Sequence, residues 1–148
     1  MSYYFDKAPT IYEDGHQCRD FVNINDVVQA NLLALEDGRM DYGVFNVGGG
    51  HAHTVKEFAE IVRMEVQKRK ADPLPEPNVP RWYRFGDTRN ACSDISKIRA
   101  FGWEPQHTPV ESVREYVSWL YEQDNVEDIM EYAMKTMKDL DVVRAVRR

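Results

Sequence analysis

A chain of 148 residues fits one domain, the usual size being about 100–150 residues. Hydrophobic residues at 43% and charged residues at 30% exclude a wholly disordered chain. Nineteen Lys and Arg against 25 Asp and Glu leave −6 at pH 7, so no general field attracts nucleic acid or an anionic membrane, and an anionic ligand must be held by local arginines.

The chain opens Met-Ser-Tyr-Tyr-Phe-Asp-Lys, without the apolar core of a secretory signal. Residues 10–13 and 18–24 carry short β-type alternation around the turn dipeptide Asp14-Gly15, and read as a strand pair or extended loop. From Asn25 to Glu36 the apolar residues follow helical spacing, with Asn25 or Asp26 as cap and Gly38 as the stop; that face is expected to be mostly core. Its run Leu32-Leu33-Ala34-Leu35 is far below the ~20 residues of a membrane span.

Tyr42 to Val47 is a second strand candidate, leading into Gly48-Gly49-Gly50. Thr54 and Glu57 then form a capping box, in which the hydroxyl accepts from the third amide of the helix and the carboxylate accepts from the cap amide. The helix is expected to continue to about Arg69, until Pro73, Pro75, Pro77 and Pro80 forbid regular structure. A short helix is read from Ser93 to Phe101, stopped by Gly102. Thr108-Pro109 with Glu111 is another capping box, opening a helix that buries Val113, Val117, Leu120 and Trp119. Asn125 is read as the cap of a last amphipathic helix with Ile129, Ala133, Met137 and Leu140 on one stripe, before a basic end at Arg144, Arg147 and Arg148.

Few residues suggest chemistry. Gly48 and Gly50 fit two places of a dinucleotide-binding G-x-G-x-x-G, but His53 occupies the third, and no strand acid follows ~20 residues on; a plain strand-to-helix turn is the better reading. Tyr3 and Lys7 have the spacing of a proton-donor pair, yet Asp6 and Pro9 make a poor helix there, so no catalytic residue is assigned. His16, His51, His53 and His107 with Cys18 and Cys92 give no closed tetrahedral spacing, and no metal is expected. Two cysteines are no disulfide framework, and a reducing cytoplasm is the expected home. Arg19, before Asp20-Phe21, and Arg84, opening Arg-Phe-Gly-Asp, stand where short strands end. Two guanidinium groups can neutralise a diphosphate through paired N–H bonds; ordinary salt bridges to Asp20 and Asp87 are the competing and commoner arrangement.

The stretch from Ile11 to Asn31, with Arg19-Asp20-Phe21 at its centre, resembles the extended short-chain dehydrogenase/reductases, specifically the NAD-dependent nucleotide-sugar epimerases and dehydratases. Val44-Phe-Asn-Val-Gly-Gly-Gly50, Arg84-Phe-Gly-Asp-Thr-Arg89 and Ser93-Asp-Ile-Ser-Lys97 leading to Phe101-Gly-Trp-Glu-Pro105 agree in order, so the resemblance covers roughly residues 9–123. It implies an α/β fold: a small mixed lobe of short strands and about five helices, equivalent to the family's C-terminal substrate domain without its Rossmann half. Residues 1–123 are then the substrate-binding domain and 124–148 a C-terminal helical extension.

The resemblance further implies that Arg19 and Arg84 contact the diphosphate of a nucleoside-diphosphate sugar and that Asp87 meets a ribose hydroxyl. For a complete enzyme it implies transient oxidation at the sugar C4 with NAD as hydride acceptor. The family's glycine fingerprint and helical Tyr-x-x-x-Lys are missing, so this chain is expected to bind no NAD alone and to be inactive alone. The motif Arg-Phe-Gly-Asp-Thr-Arg-Asn looks closer to the 4-epimerases than to the dehydratases. An alternative stays open: a non-enzymatic module that self-associates, or a half-enzyme completed by a separate cofactor-binding chain, with Met130, Met134 and Met137 as adaptable contacts.

Overall fold

The computed structural model describes residues 1–145; Arg147 and Arg148 of the basic end lie outside the described residues. Its α/β class and five helices agree with the expectation. Both capping boxes form. Thr54 caps α2 (Val55–Gln67) and Thr108 caps α4 (Pro109–Tyr121), each hydroxyl accepting from the third helical amide and each glutamate returning to the cap amide. The two helices pack together, and Val66 of α2 meets Val113 and Val117 of α4, with Tyr3 and Leu74 closing the cluster. Each fully buried side chain of this kind contributes about 1.5–3 kcal/mol. Trp119, expected inside, is 53% exposed. Val113, Val117 and Leu120 lie on the buried face of α4, and Trp119 falls outside that arc.

A second cluster forms around Trp103, where Ala30 of α1 (Ile24–Glu36) meets Ile95, Met40 and Ile98 of α3 (Ser96–Arg99). Asn23 rather than Asn25 or Asp26 caps α1, its side chain accepting from the Asn25 amide. Asp26 is buried instead. Its carboxylate accepts from the amides of Gln106 and His107 and from His107 Nδ1 at 2.8 Å, while its own carbonyl accepts from the Trp103 indole at 3.1 Å. These bonds staple the loop before α4 onto the first turn of α1. Only a narrow stripe of α1 is covered, so the expectation of a mostly buried face fails: Ile24, Val28, Leu32 and Leu35 are exposed, Leu35 by 83%.

The strands pair differently from the sequence reading. β1 (Cys18–Asp20) runs antiparallel to β2 (Ala52–Thr54), with Arg19 opposite His53, not to residues 10–13. Glu13 and Gly15 both have left-handed φ, which turns the chain, and the Gly15 and Gln17 carbonyls accept from Lys56 and Val55. Residues 15–20 are thereby committed to the segment before α2. Thr10 keeps only a single bridge, to Asn78. Tyr42 to Val47 forms no strand. Phe45 and Val47 point into the Trp103 cluster while Val44 is exposed, so the alternation of a strand is present without a hydrogen-bonded neighbour among the described residues.

At the C-terminal end α5 (Met130–Asp139) starts five residues later than the cap expected at Asn125, and Asp128 accepts from the Met130 amide. Its expected stripe is only half covered, with Ala133 and Met137 partly buried and Ile129 and Leu140 exposed. The chain then returns as β4 (Val143–Ala145) and pairs antiparallel with β3 (Trp82–Arg84), placing Val143 opposite Arg84.

Candidate functional site

Arg19, Arg84 and Asp87 come together. β1, fixed by β2, presents Arg19; β3, fixed by β4, presents Arg84 at its last position. Gly86, at φ 82, lets Arg-Phe-Gly-Asp fold back so that the Asp87 amide donates to the Arg84 carbonyl, a turn whose third residue needs positive φ. The Asp87 carboxylate then lies between the two cations: Oδ1 accepts from Arg19 Nη2 at 2.9 Å, and Oδ2 lies 3.4 Å from Arg84 Nη2. Asp20, the other candidate partner of Arg19, is occupied elsewhere, accepting from the amides of Gly49 and Ser93.

The two arginines are held unequally. Arg19 Nη1 also donates to the carbonyls of Cys18 and Arg89, at 2.8 and 3.0 Å, which locks its plane. Arg84 is the looser group, with its guanidinium 5.0 Å over the Tyr12 ring and its side chain 46% exposed. A guanidinium carries five N–H donors, so most of those on Arg84 are available to a ligand. Two guanidinium groups thus share one carboxylate.

Arg89 borders this site and was given no role by the sequence reading, although it stands within the quoted Arg84 to Arg89 motif. It donates to Glu13 and to Asp14 and holds the Asp14 carboxyl at about 2, well below the usual carboxylate value. Its carbonyl accepts from Arg19, so the Glu13-Asp14 turn, Arg89 and Arg19 form one connected arrangement.

The glycine turn does not fit a cofactor phosphate. A Cβ at Gly48 would lie 2.2 Å from Asp20 Oδ2 and one at Gly49 would lie 2.4 Å from the Phe21 carbonyl oxygen, so the end of β1 and the residue after it already fill this space; the Gly49 amide donates to Asp20. These glycines permit close packing. Tyr3 and Lys7 do not meet: Tyr3 is core, its hydroxyl pushed up to about 12 by burial, and Lys7 pairs with Asp128 and Glu131. Among the described residues no three His, Cys, Asp or Glu side chains converge as a metal set, and no helix is long and apolar enough to cross a membrane.

Comparison with known proteins agrees with the resemblance. The family described as GDP-mannose 4,6 dehydratase matches residues 5–116. dTDP-L-rhamnose 4-epimerase of Burkholderia thailandensis is 32% identical over 118 residues, which are 79% of this chain and 31% of that protein. Among solved structures, UDP-N-acetylglucosamine 4-epimerase from Methanobrevibacter ruminantium, in complex with UDP-N-acetylmuramic acid, superposes with a TM-score of 0.70 at 30% identity, covering 82% of this chain and 37% of that one. UDP-glucose 4-epimerase of Thermus thermophilus, in complex with NAD, gives a TM-score of 0.66 at 28% identity, covering 82% and 38%. The chain spans about a third of the length of the curated relatives it matches. It belongs to the NAD-dependent nucleotide-sugar epimerase/dehydratase family of extended short-chain dehydrogenase/reductases and corresponds to the C-terminal portion of that fold.

Proposed function

We propose that residues 1–123 are the substrate-binding portion of a nucleotide-sugar 4-epimerase and hold the nucleoside diphosphate of the sugar nucleotide. The observation that carries this reading is the meeting of Arg19 and Arg84, from distant parts of the chain, on the single carboxylate of Asp87. That carboxylate occupies the place an anion would take between two guanidinium groups. A diphosphate offers more acceptor oxygens than Asp87 and displaces it, which frees Asp87 to accept from a ribose hydroxyl. The names of the relatives, 4-epimerases acting on dTDP- and UDP-sugars, support the substrate class.

The part played by this chain is orientation and charge neutralisation, which act through proximity and preorganised donors. We assign no proton transfer at the sugar to the described residues, and on this reading the chain is inactive alone. NAD and the tyrosine base belong to the remainder of the family fold. Calorimetric titration of the folded chain with UDP- and dTDP-sugars is the test: saturable heat without turnover is expected, and no heat at millimolar ligand refutes the reading.

A second reading concerns the partner. The outer face of α1 exposes Ile24, Val28, Leu32 and Leu35, and the extended segment exposes Tyr42 and Val44; apolar side chains left open in this number support docking onto a cofactor-binding unit. Sedimentation of the chain, alone and with such a unit, decides it: a heterodimer is expected, self-association supports the interaction-module alternative, and a monomer in both runs counts against docking.

A further inference from the structure

A cavity of about 550 Å³ opens where the last turn of α4 meets the segment leading to α5, a size within the range of small-ligand sites. Tyr116, Trp119, Leu120, Asp124, Val126 and Glu127 are among the residues that line it. Of the whole lining only Tyr116 falls within residues 5–116 matched by the family, so the cavity is made largely by the part of the chain beyond that match.

One wall follows from how α4 packs. Val113, Val117 and Leu120 are buried, and Tyr116 and Trp119, neighbours one turn apart on the helix surface, stand outside that face with ring centroids 5.8 Å apart and planes at 34°. Both side chains are about half exposed, at 48% and 53%. Beyond Tyr121 the chain folds back on the helix end. The Glu122 and Gln123 amides donate to the carbonyls of Trp119 and Leu120, and the Gln123 side chain donates to the Trp119 carbonyl at 2.9 Å. Asp124 and Glu127 are thereby brought to the same cavity as the two rings. Lys7, paired with Asp128 at 2.6 Å, holds the far end of the segment.

Charge and ring exposure both point to a cation. No lysine or arginine belongs to the lining, and neither Asp124 nor Glu127 has an ion-pair partner among the described residues; the Met1 amine, also in the lining, is answered by Asp128, which lies outside it. Trp82 carries Lys138 at 4.4 Å and Trp103 is buried, so Trp119 is the one tryptophan with an open ring and no cation against it among the described residues. An exposed indole face attracts an ammonium group through the ring quadrupole. We infer that this cavity binds an aliphatic polyamine, one ammonium lying against the Trp119 ring and the next answered by Asp124 and Glu127. Two carboxylates and an open ring take more than one positive charge, and the methylene chain between ammonium groups suits Leu120 and Val126. A neutral sugar stacks on such rings but leaves both carboxylates unanswered. A metal ion needs converging ligands, and no three His, Cys, Asp or Glu side chains converge among the described residues.

Calorimetric titration of the full chain with putrescine and with butylamine, the same carbon chain bearing two ammonium groups or one, is the test. Putrescine is expected to bind at least about tenfold tighter than butylamine, and Asp124→Asn with Glu127→Gln is expected to bring that ratio close to one. Trp119→Leu should weaken putrescine about two- to fivefold. All three replaced side chains are exposed, and circular dichroism checks the fold of each variant. Indole N–H spectra of the unmutated protein give a measurement independent of the variants: putrescine should shift the Trp119 signal and leave Trp82 and Trp103 in place. Equal affinity for the two amines, putrescine binding unchanged in the double variant, or binding without the Trp119 shift overturns the inference, the second by showing a general attraction to an acidic chain. A tetra-arginine peptide or a neutral oligosaccharide that shifts Trp119 where putrescine does not also overturns it, and assigns the surface to that class instead. None of these outcomes bears on the diphosphate reading of Arg19 and Arg84.

Discussion

Replacing Asp26 by Ala tests how the candidate site is held. Asp26 is 1% exposed and accepts from two backbone amides, those of Gln106 and His107, each at 3.1 Å. Alanine removes the acceptor from two part-buried amides, at about 0.5–1.5 kcal/mol for each hydrogen bond lost, so a loss of roughly 1–3 kcal/mol is expected. Against a total stability of about 5–15 kcal/mol this is a large fraction. Asp26→Asn should cost less, since its amide oxygen still accepts one of these bonds while its NH2 faces the other donor. Urea unfolding followed by far-ultraviolet circular dichroism measures both. A loss below about 1 kcal/mol for the alanine variant, with an unchanged slope against urea, would show that Asp26 does not staple the Trp103 loop to α1.

Other outcomes follow from the same structure. Stability should fall on both sides of a plateau in pH. Burial alone would push Asp26 up, but the His107 ring and the two amides outweigh it and hold it below 3.8, so its contribution is present above 3.8 and is lost as pH falls through the lowered value. The Asp26 carboxylate raises His107 above 6.5, so that contribution is complete below 6.5 and is lost as pH rises through the raised value; His107→Gln should flatten the alkaline arm of the urea midpoints. Gly49→Ala should destabilise by about 1–3 kcal/mol in thermal unfolding, because the added methyl meets the Phe21 carbonyl at 2.4 Å. Thr54→Ala removes the α2 cap and should cost about 0.5–2 kcal/mol in the same measurement.

Local hydrogen bonding made α2 and α4 legible. A threonine, a glutamate three residues on and an apolar period are all contained in one turn or two, and Pro109 in the first turn of α4 strengthens the signal. The strands were not legible, because their pairings join Cys18–Asp20 to Ala52–Thr54 and Trp82–Arg84 to Val143–Ala145, and no local pattern specifies such distant partners. Tyr42 to Val47 shows the same limit from the other side: it alternates as a strand and lacks a neighbour among the described residues. The burial of Asp26 was hidden because an acidic residue in a first helical turn ordinarily interacts with free amides at the surface. Arg19, Arg84 and Asp87 were legible only in part. Residue chemistry pointed to salt bridges with Asp20 or Asp87, and folding selected Asp87 for both arginines because Asp20 is used by the Gly49 and Ser93 amides.

The affinity of the folded chain for UDP, compared with Arg19→Ala and Arg84→Ala, tests the central claim most directly. Charged hydrogen bonds contribute about 1.5–3 kcal/mol, and each 1.4 kcal/mol is tenfold, so either variant should raise the dissociation constant roughly ten- to a hundredfold. Equal affinity for UDP in the unmutated chain and in both variants would contradict a diphosphate held between the two guanidinium groups.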